Sequence, residues 1–496
     1  MAEQFQNYID GKWLEAKTSQ AFENRNPANR NDLIGLFPAS GQADVDDAVA
    51  AAKKAFASWR LVPAPKRGEL LYRVGELLKK HKEELAGIET REMGKILKET
   101  RGDVQEGIDC AFYNAGEGRR LFGETTPSEL PDKFAMSVRA PLGVCALITP
   151  WNFPLAIPTW KLFPALLCGN TVILKPAEDT PHTAVKFFEI LEEAGVPPGV
   201  VNLIHGRGEE VGAALVRHPQ VKLVSFTGSA AVGREIASQC GQHLKRVSLE
   251  LGGKNAQIVM EDADLDLALQ GALWGAFGTT GQRCTATSRL ILHRDIKQKL
   301  IDALVARAEK IVIGDGLDET VEMGPLINQA AREKVERYIQ IGKNEGARLL
   351  TGGAIYEKGA CTNGWFFQPT IFDQVTPGMR ISQEEIFGPV LSVIEVKGFE
   401  EAVEVLNGTA YGLSSAIYTA DVARAFRAMR DLEAGITYVN GPTIGAEVHL
   451  PFGGVKDTGN GHREAGTTVY DIFTEWKSIY VDYSGRLQKA QIDNAE

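Results

Sequence analysis

Six cysteines are spread through the chain, at Cys110, Cys145, Cys168, Cys240, Cys284 and Cys361, with no CxxC and no short spacing. That pattern argues against a zinc site or a disulfide framework and leaves each as a reduced thiol by default. Cys284 differs in its surroundings: GQRCTATSR is a run of Gly, Gln, Arg and Thr after a helical stretch, whereas Cys145 and Cys168 sit in apolar strand and helix contexts. A free thiol titrates at about 8.5 and attacks only as thiolate, so a polar, accessible loop is where a nucleophile belongs. Glu250 in VSLELGGKN closes a strand-like run and precedes two glycines that permit a sharp turn. It reads either as a reactive carboxylate or as a turn residue at the surface. Asn152 in TPWNFP, between a tryptophan and a Phe-Pro step, is either a carboxamide held as a donor or a turn cap. The eight histidines are dispersed without an HxxxH pair, so no metal is expected.

These residues need a scaffold. From about Asp44 to Gly116 the pattern is helical, with Leu70, Val74, Leu77, Leu78, His81 and Leu85 along one face and Lys79, Lys80, Lys82, Glu83 and Glu84 on a solvated side. Between Val144 and Leu249, β-branched apolar runs alternate with helical stretches, the signature of βαβ units on a parallel sheet. Ligands bind such sheets beyond the carboxyl ends of the strands, and PWN, KPAE, GRG and TGS follow the successive strands. A second alternating α/β region begins near Gly252, with DLDLALQGALWGAFGTTGQ leading into Cys284. GETTPSELPDKFAMSVRAP and TEWKSIYVDYSG alternate differently and lie outside both regions, as strands of a small protruding sheet would. The expected fold class is therefore α/β.

Two glycine-rich loops follow strands. Gly208 and Gly212 in GRGEEVG open a helix, but the spacing misses the usual dinucleotide fingerprint by one residue. Gly228 and Ser229 in FTGSAAVG sit at a strand-to-helix junction that suits a phosphate, or equally a plain tight turn. At 496 residues and a net charge of −10, the chain is long enough for two or three domains and would repel a nucleic-acid backbone. No basic region followed by an apolar run opens the sequence, and no stretch is long and apolar enough for a membrane span, so a soluble cytoplasmic protein is expected.

The runs PWNFP, LKPAE, FTGS, LELGGK, GQRC, QEEIFGP and PFGG stand in the order and approximate spacing of the aldehyde dehydrogenase superfamily, which the chain resembles over essentially its whole length. The resemblance implies a variant Rossmann cofactor domain (1–122 and 142–252), an α/β catalytic domain (253–467) and a small oligomerisation sheet (123–141 and 468–496), in a homodimer or homotetramer. It implies oxidation of a small-molecule aldehyde by NAD: Cys284 attacks the aldehyde carbon, Asn152 and the Cys284 amide stabilise the oxyanion, and Glu250 activates the water that hydrolyses the thioester. Lys175 and Glu178 match contacts to the adenosine ribose; a carboxylate at Glu178 repels a 2′-phosphate, favouring NAD over NADP, which some relatives also accept. Thr149, Trp151, Gly208, Gly212, Phe226, Gly228, Ser229, Val232 and Leu251 match further cofactor-lining positions, and Glu385 and Phe387 those at the nicotinamide ribose and ring.

Phe153, Ile157, Trp160, Arg283, Thr285 and Phe452 are implied around the aldehyde tunnel. Arg283 either binds a substrate carboxylate or points into the structure. The run GAEVHLPFGG resembles that of α-ketoglutaric and aminoadipic semialdehyde dehydrogenases, which makes a semialdehyde an alternative to a broad aldehyde substrate. A coenzyme A-acylating member often lacks the carboxylate matching Glu250, and a catalytically silent scaffold would lack the nucleophile or base. A Cys/His hydrolase needing no nicotinamide would place a histidine near Cys284 in space.

Overall fold

The computed structural model describes residues 2–493; residues 494–496, at the end of the second expected oligomerisation segment, lie outside it. A first seven-stranded sheet has the order Arg246–Glu250, Val221–Thr227, Val144–Ile148, Thr171–Lys175, Val201–Leu203, Asn7–Ile9, Lys12–Leu14. The first five are parallel, as the βαβ pattern requires, and the two N-terminal strands add an antiparallel edge that the alternation did not reveal. Period-two burial explains the near-continuous apolar runs: Cys145 and Leu147 pack into one core with Phe163 and Phe187, while Val144, Ala146 and Ile148 pack on the other face with Ala48 and Val49. Each fully buried Leu or Phe adds about 1.5–3 kcal/mol relative to exposure.

The register of this sheet builds the site. Lys175, Ile148, Phe226 and Leu249 lie side by side across four strands. Thr149, Thr227 and Glu250 therefore stand one residue further on, at one carboxyl edge.

The second seven-stranded sheet has the order Arg348–Thr351, Thr370–Asp373, Val390–Val396, Arg289–His293, Ala256–Val259, Ser414–Tyr418, Ile436–Val439, parallel except for its first pair. The helix Leu265–Phe277 and the turn after it deliver Cys284 to the amino end of Arg289–His293. The two odd alternating segments do pair: Glu124–Pro127, Lys133–Pro141 and Thr474–Asp482 form an antiparallel three-stranded sheet whose Trp476 and Tyr480 are exposed.

The long helical region is four helices, Gln42–Trp59, Ala64–Lys80, Lys82–Met93 and Leu97–Glu117. His81 is a junction residue rather than a mid-face one: its backbone leaves helical geometry and its Nδ1 lies 2.8 Å from Glu84. Leu85 thus belongs to the following helix, although it and Leu70, Val74 and Leu78 are all buried. Among the described residues, no helix is long and apolar enough to cross a membrane.

Candidate active site

Two cavities meet between the sheets at Cys284. The first, about 120 Å³, is walled by Phe153, Ile157, Trp160, Arg283, Thr285 and Phe452, all six residues expected at the tunnel, together with Glu250, Glu106 and Glu464. The second, about 280 Å³, is walled by Trp151, Asn152, Gly228, Ser229, Leu251, Glu385 and Phe387. Cys284 belongs to both walls. A third cavity, about 300 Å³, takes in Gly208, Gly212, Phe226 and Val232. The misspaced GRGEEVG loop therefore does line a pocket, entering its helix through a single π-helical turn, Gly208–Gly212.

The nucleophile loop is clamped on several sides. Ile327 N–H donates to Gln282 Oε1 at 2.9 Å, and Asn255 Nδ2 donates to the Cys284 carbonyl at 2.7 Å. Asn152 Nδ2 donates to the Gln282 carbonyl at 3.1 Å, which fixes the carboxamide beside the thiol and leaves its second N–H for another acceptor. Cys284 itself corrects the expectation of an open polar setting. The residue is half-buried, but its thiol is enclosed and pushed up to about 12 by burial, then by the charges of Glu250 and Glu385. The amides of Cys284 and Thr285 oppose that shift. Polar neighbours in sequence did not make an exposed thiol, because the loop folds into the seam.

Glu250 is buried, not a surface turn, and neither carboxylate oxygen has a hydrogen-bond partner among the described residues. Burial first, then the nearby Glu464, raises its pKa well above the carboxylate range; Lys161 and Arg463 pull the other way. Lys161 pairs with Glu464 and donates to Ser225 Oγ at 2.9 Å, so a buried ion pair stands behind the carboxylate. Gly453, with φ +146°, brings its backbone so close that a Cβ there would lie 2.6 Å from Glu250 Oε1. Only glycine suits both the angle and the approach.

The wall of the larger cavity is built for a polar ligand. Glu385 accepts from Gly253 N–H at 3.0 Å; burial raises its pKa, opposed by Lys334 and Lys254. Phe387 holds a left-handed backbone, φ +61°, with its ring edge-on to Trp151 at 5.5 Å. Ser229 caps the helix Ala230–Gln242, accepting from Val232 N–H at 3.4 Å, which turns free backbone amides toward the cavity. At the sheet edge, Lys175 donates to Glu178 at 3.0 Å, and Thr149 Oγ1 is buried without a partner among the described residues. The orphaned hydroxyl, the lysine–carboxylate pair and the capped helix start all stand at the carboxyl ends of the first sheet's parallel strands, where a dinucleotide would bind.

Arg283 points both ways. Its Nε donates to Thr279 Oγ1 at 2.7 Å and its Nη2 lies 3.3 Å from Glu99, yet it also walls the tunnel. Sequence reasoning missed Glu99, Glu106, Lys161, Glu464 and Lys334. For the first two a signal existed: Glu99, Asp103 and Glu106 are spaced i, i+4, i+7 and share one face of the helix Leu97–Glu117.

The chain belongs to the aldehyde dehydrogenase family, whose pattern it matches over residues 13–479. Its relatives include the alpha-ketoglutaric semialdehyde dehydrogenase of Bacillus subtilis (strain 168), 42% identical over 475 residues, or 96% of this chain and 97% of that protein. A putative aldehyde dehydrogenase from Burkholderia cenocepacia superposes with a TM-score of 0.95 at 39% identity, covering 98% of this chain and 99% of that one. The betaine aldehyde dehydrogenase of Staphylococcus aureus, solved in complex with NAD+, gives a TM-score of 0.95 at 37% identity over 98% of this chain and 96% of that one.

Proposed function

We propose that this protein oxidises an aldehyde to a carboxylic acid with NAD as hydride acceptor. The observation that carries the reading is the position of Cys284 on the shared wall of two cavities, with Glu250 facing one and Asn152 the other. The Cys284 sulfur, its proton released to water, attacks the aldehyde carbon as the thiolate. The free N–H of Asn152 and the Cys284 amide hold the oxyanion of the thiohemiacetal. NAD, once bound, supplies the hydride acceptor. Loss of hydride leaves a thioester on Cys284, and Glu250 in its ionised form takes a proton from water as it adds to the thioester; the acid departs, the sulfur is restored, and Glu250 returns its proton to solvent. Burial raises the Glu250 pKa, which makes it a stronger base toward water than an exposed carboxylate.

Lys175 and Glu178 would hold the adenosine ribose, Gly228 and Ser229 the pyrophosphate, and Glu385 the nicotinamide ribose beside Phe387. The B. subtilis relative favours a semialdehyde with a distal carboxylate as substrate. We assign 1–122 with 142–252 to cofactor binding, 253–467 to catalysis, and the three-stranded sheet to pairing subunits of a cytoplasmic homodimer or homotetramer. The test is NAD reduction over a panel of neutral aldehydes and carboxylate-bearing semialdehydes, with Cys284→Ala as control. Undiminished turnover in Cys284→Ala would move the nucleophile elsewhere; a preference for neutral aldehydes would remove the semialdehyde reading.

A further inference from the structure

We propose that Glu99, from the cofactor-side helix Leu97–Glu117, is a positioning residue for the nucleophile: it holds a left-handed turn in the conformation that presents Cys284. This inference rests on Cys284 being the nucleophile. The helix Leu265–Phe277 does not run directly into the reactive loop. Between them Thr279 (φ 53°, ψ 29°) and Thr280 (φ 57°, ψ 32°) are left-handed, followed by Gly281 at φ +69°. Left-handed geometry is uncommon for any residue but glycine, and a β-branched side chain makes it a genuine outlier. Two threonines in succession need an outside hold.

Glu99 provides it from 180 residues away. Its Oε1 accepts the Thr279 N–H at 2.7 Å. That N–H belongs to the first left-handed residue, so the carboxylate holds the turn where it begins. The charge is balanced by Arg283, whose Nη2 lies 3.3 Å from the same oxygen while its Nε donates to Thr279 Oγ1 at 2.7 Å. Phe153 and Trp274 flank the guanidinium, with ring centroids 5.4 and 5.1 Å away. Carboxylate, turn and guanidinium thus close a ring that includes Arg283, the residue immediately before Cys284. The Gln282 carbonyl that orients Asn152 lies inside the same ring, so one displacement would disturb both the nucleophile and its oxyanion donor. Glu99 itself is almost wholly buried, its side chain 3% exposed. It touches neither cavity that meets at the thiol.

The experiment compares the burst of reduced cofactor, which reads the acylating step, with NAD affinity measured separately on the same full-length variants. Glu99→Ala should slow the burst about 10–100-fold, the scale of an ångström-sized misplacement, with NAD affinity changed less than about twofold. Glu99→Gln, which keeps an oxygen acceptor for the Thr279 N–H, should recover most of the burst rate. Thr279→Gly added to Glu99→Ala should also recover part of it, because glycine adopts the left-handed turn unaided. A burst unchanged in Glu99→Ala overturns the proposal, as does an equal loss of burst rate and NAD affinity, or a double variant no faster than the single one. Should Glu99→Ala fail to fold, Glu99→Asp, whose carboxylate falls one carbon short of the turn, takes its place with the same expectations. Retained turnover in Cys284→Ala would instead overturn the nucleophile assignment, so the two failures are distinguishable.

Discussion

Lys95 is a cation with no access to water. Its Nζ lies 2.8 Å from Glu89 and 2.7 Å from Asp103, and all three side chains are 0% exposed. Burial alone would lower the Lys95 pKa, but Asp103 and Glu89 outweigh it and raise it; burial, with Asp103, raises Glu89 well above the carboxylate range. The two directions agree: the carboxyls hold the lysine in its charged form, and burial holds the Glu89 carboxyl toward its protonated one. Asp103 also accepts the Ala156 N–H at 2.7 Å, and Lys95 sits 3.9 Å from the Phe153 ring, so the group braces the loop that carries Asn152. Lys95→Met breaks both buried ion pairs by removing their shared cation, which costs about 3–5 kcal/mol. At about 2–4 °C per kcal/mol for a unit of this size, the melting temperature should fall by about 6–20 °C. Glu89→Gln keeps the size and the carbonyl acceptor of the protonated carboxyl that burial favours, and should cost under about 1 kcal/mol. Its effect should depend on pH with a definite sign. A carboxyl whose folded pKa is raised stabilises the fold below its unfolded value, about 4.3, and that contribution is lost as pH rises toward the folded value, at about 1.4 kcal/mol per unit. Gln has no such slope, so Glu89→Gln should gain on the wild type between about pH 5 and the folded pKa. Thermal melts of the three proteins across that range decide the matter. A Lys95→Met melt within about 2 °C of wild type would refute the reasoning, since it would mean that the buried carboxyls beside it need no cation.

Glu250→Gln should keep the burst of reduced cofactor but lower steady-state turnover by about 10²–10⁴-fold, and an unchanged steady state would remove the base. Because burial and Glu464 raise Glu250, wild-type turnover should decline with falling pH at a higher pH than an ordinary carboxylate would give, and Glu250→Gln should lack that limb. Asn152→Ala should slow the acylating step about 10²–10³-fold at unchanged substrate affinity; a change in affinity alone would exclude it from the oxyanion site. Glu178→Gln should shift the NADP-to-NAD ratio of kcat/KM toward NADP by about tenfold, or 1.4 kcal/mol, and a wild type that already prefers NADP would overturn the role of this carboxylate.

Much of the scaffold was legible because strands buried on both faces write themselves as short apolar runs. Ile148, Lys175 and Glu250 each close such a run, and parallel register then brings the following loops to one edge. Cys284 was singled out by polar neighbours, but the enclosure that raises its thiol was invisible, since Glu385 reaches it from a hundred residues away. The break at His81 was hidden because apolar spacing continues across it with no proline or glycine to mark it. Glu99, Asp103 and Glu106 were legible as a helical face, yet charges at helical spacing usually face water. What turned them inward is the packing of their helix against Ala156–Leu167 and the nucleophile turn. The left-handed Thr279 and Thr280 could not be read at all, since nothing local favours that geometry in threonine.

Those three carboxylates share one rigid rod. Seven residues of helix span about 10 Å, and over that length the same element steadies the turn before the nucleophile, caps the start of the helix after the Asn152 loop, and furnishes a wall of the tunnel. Such sharing constrains how this protein could acquire new substrates. Replacements at Ala446, on the opposite loop, alter the tunnel alone, whereas replacements at Glu106 act on an element that also sets the reacting geometry. Selection for a differently shaped aldehyde should therefore accumulate changes on the loop and leave the rod as it is.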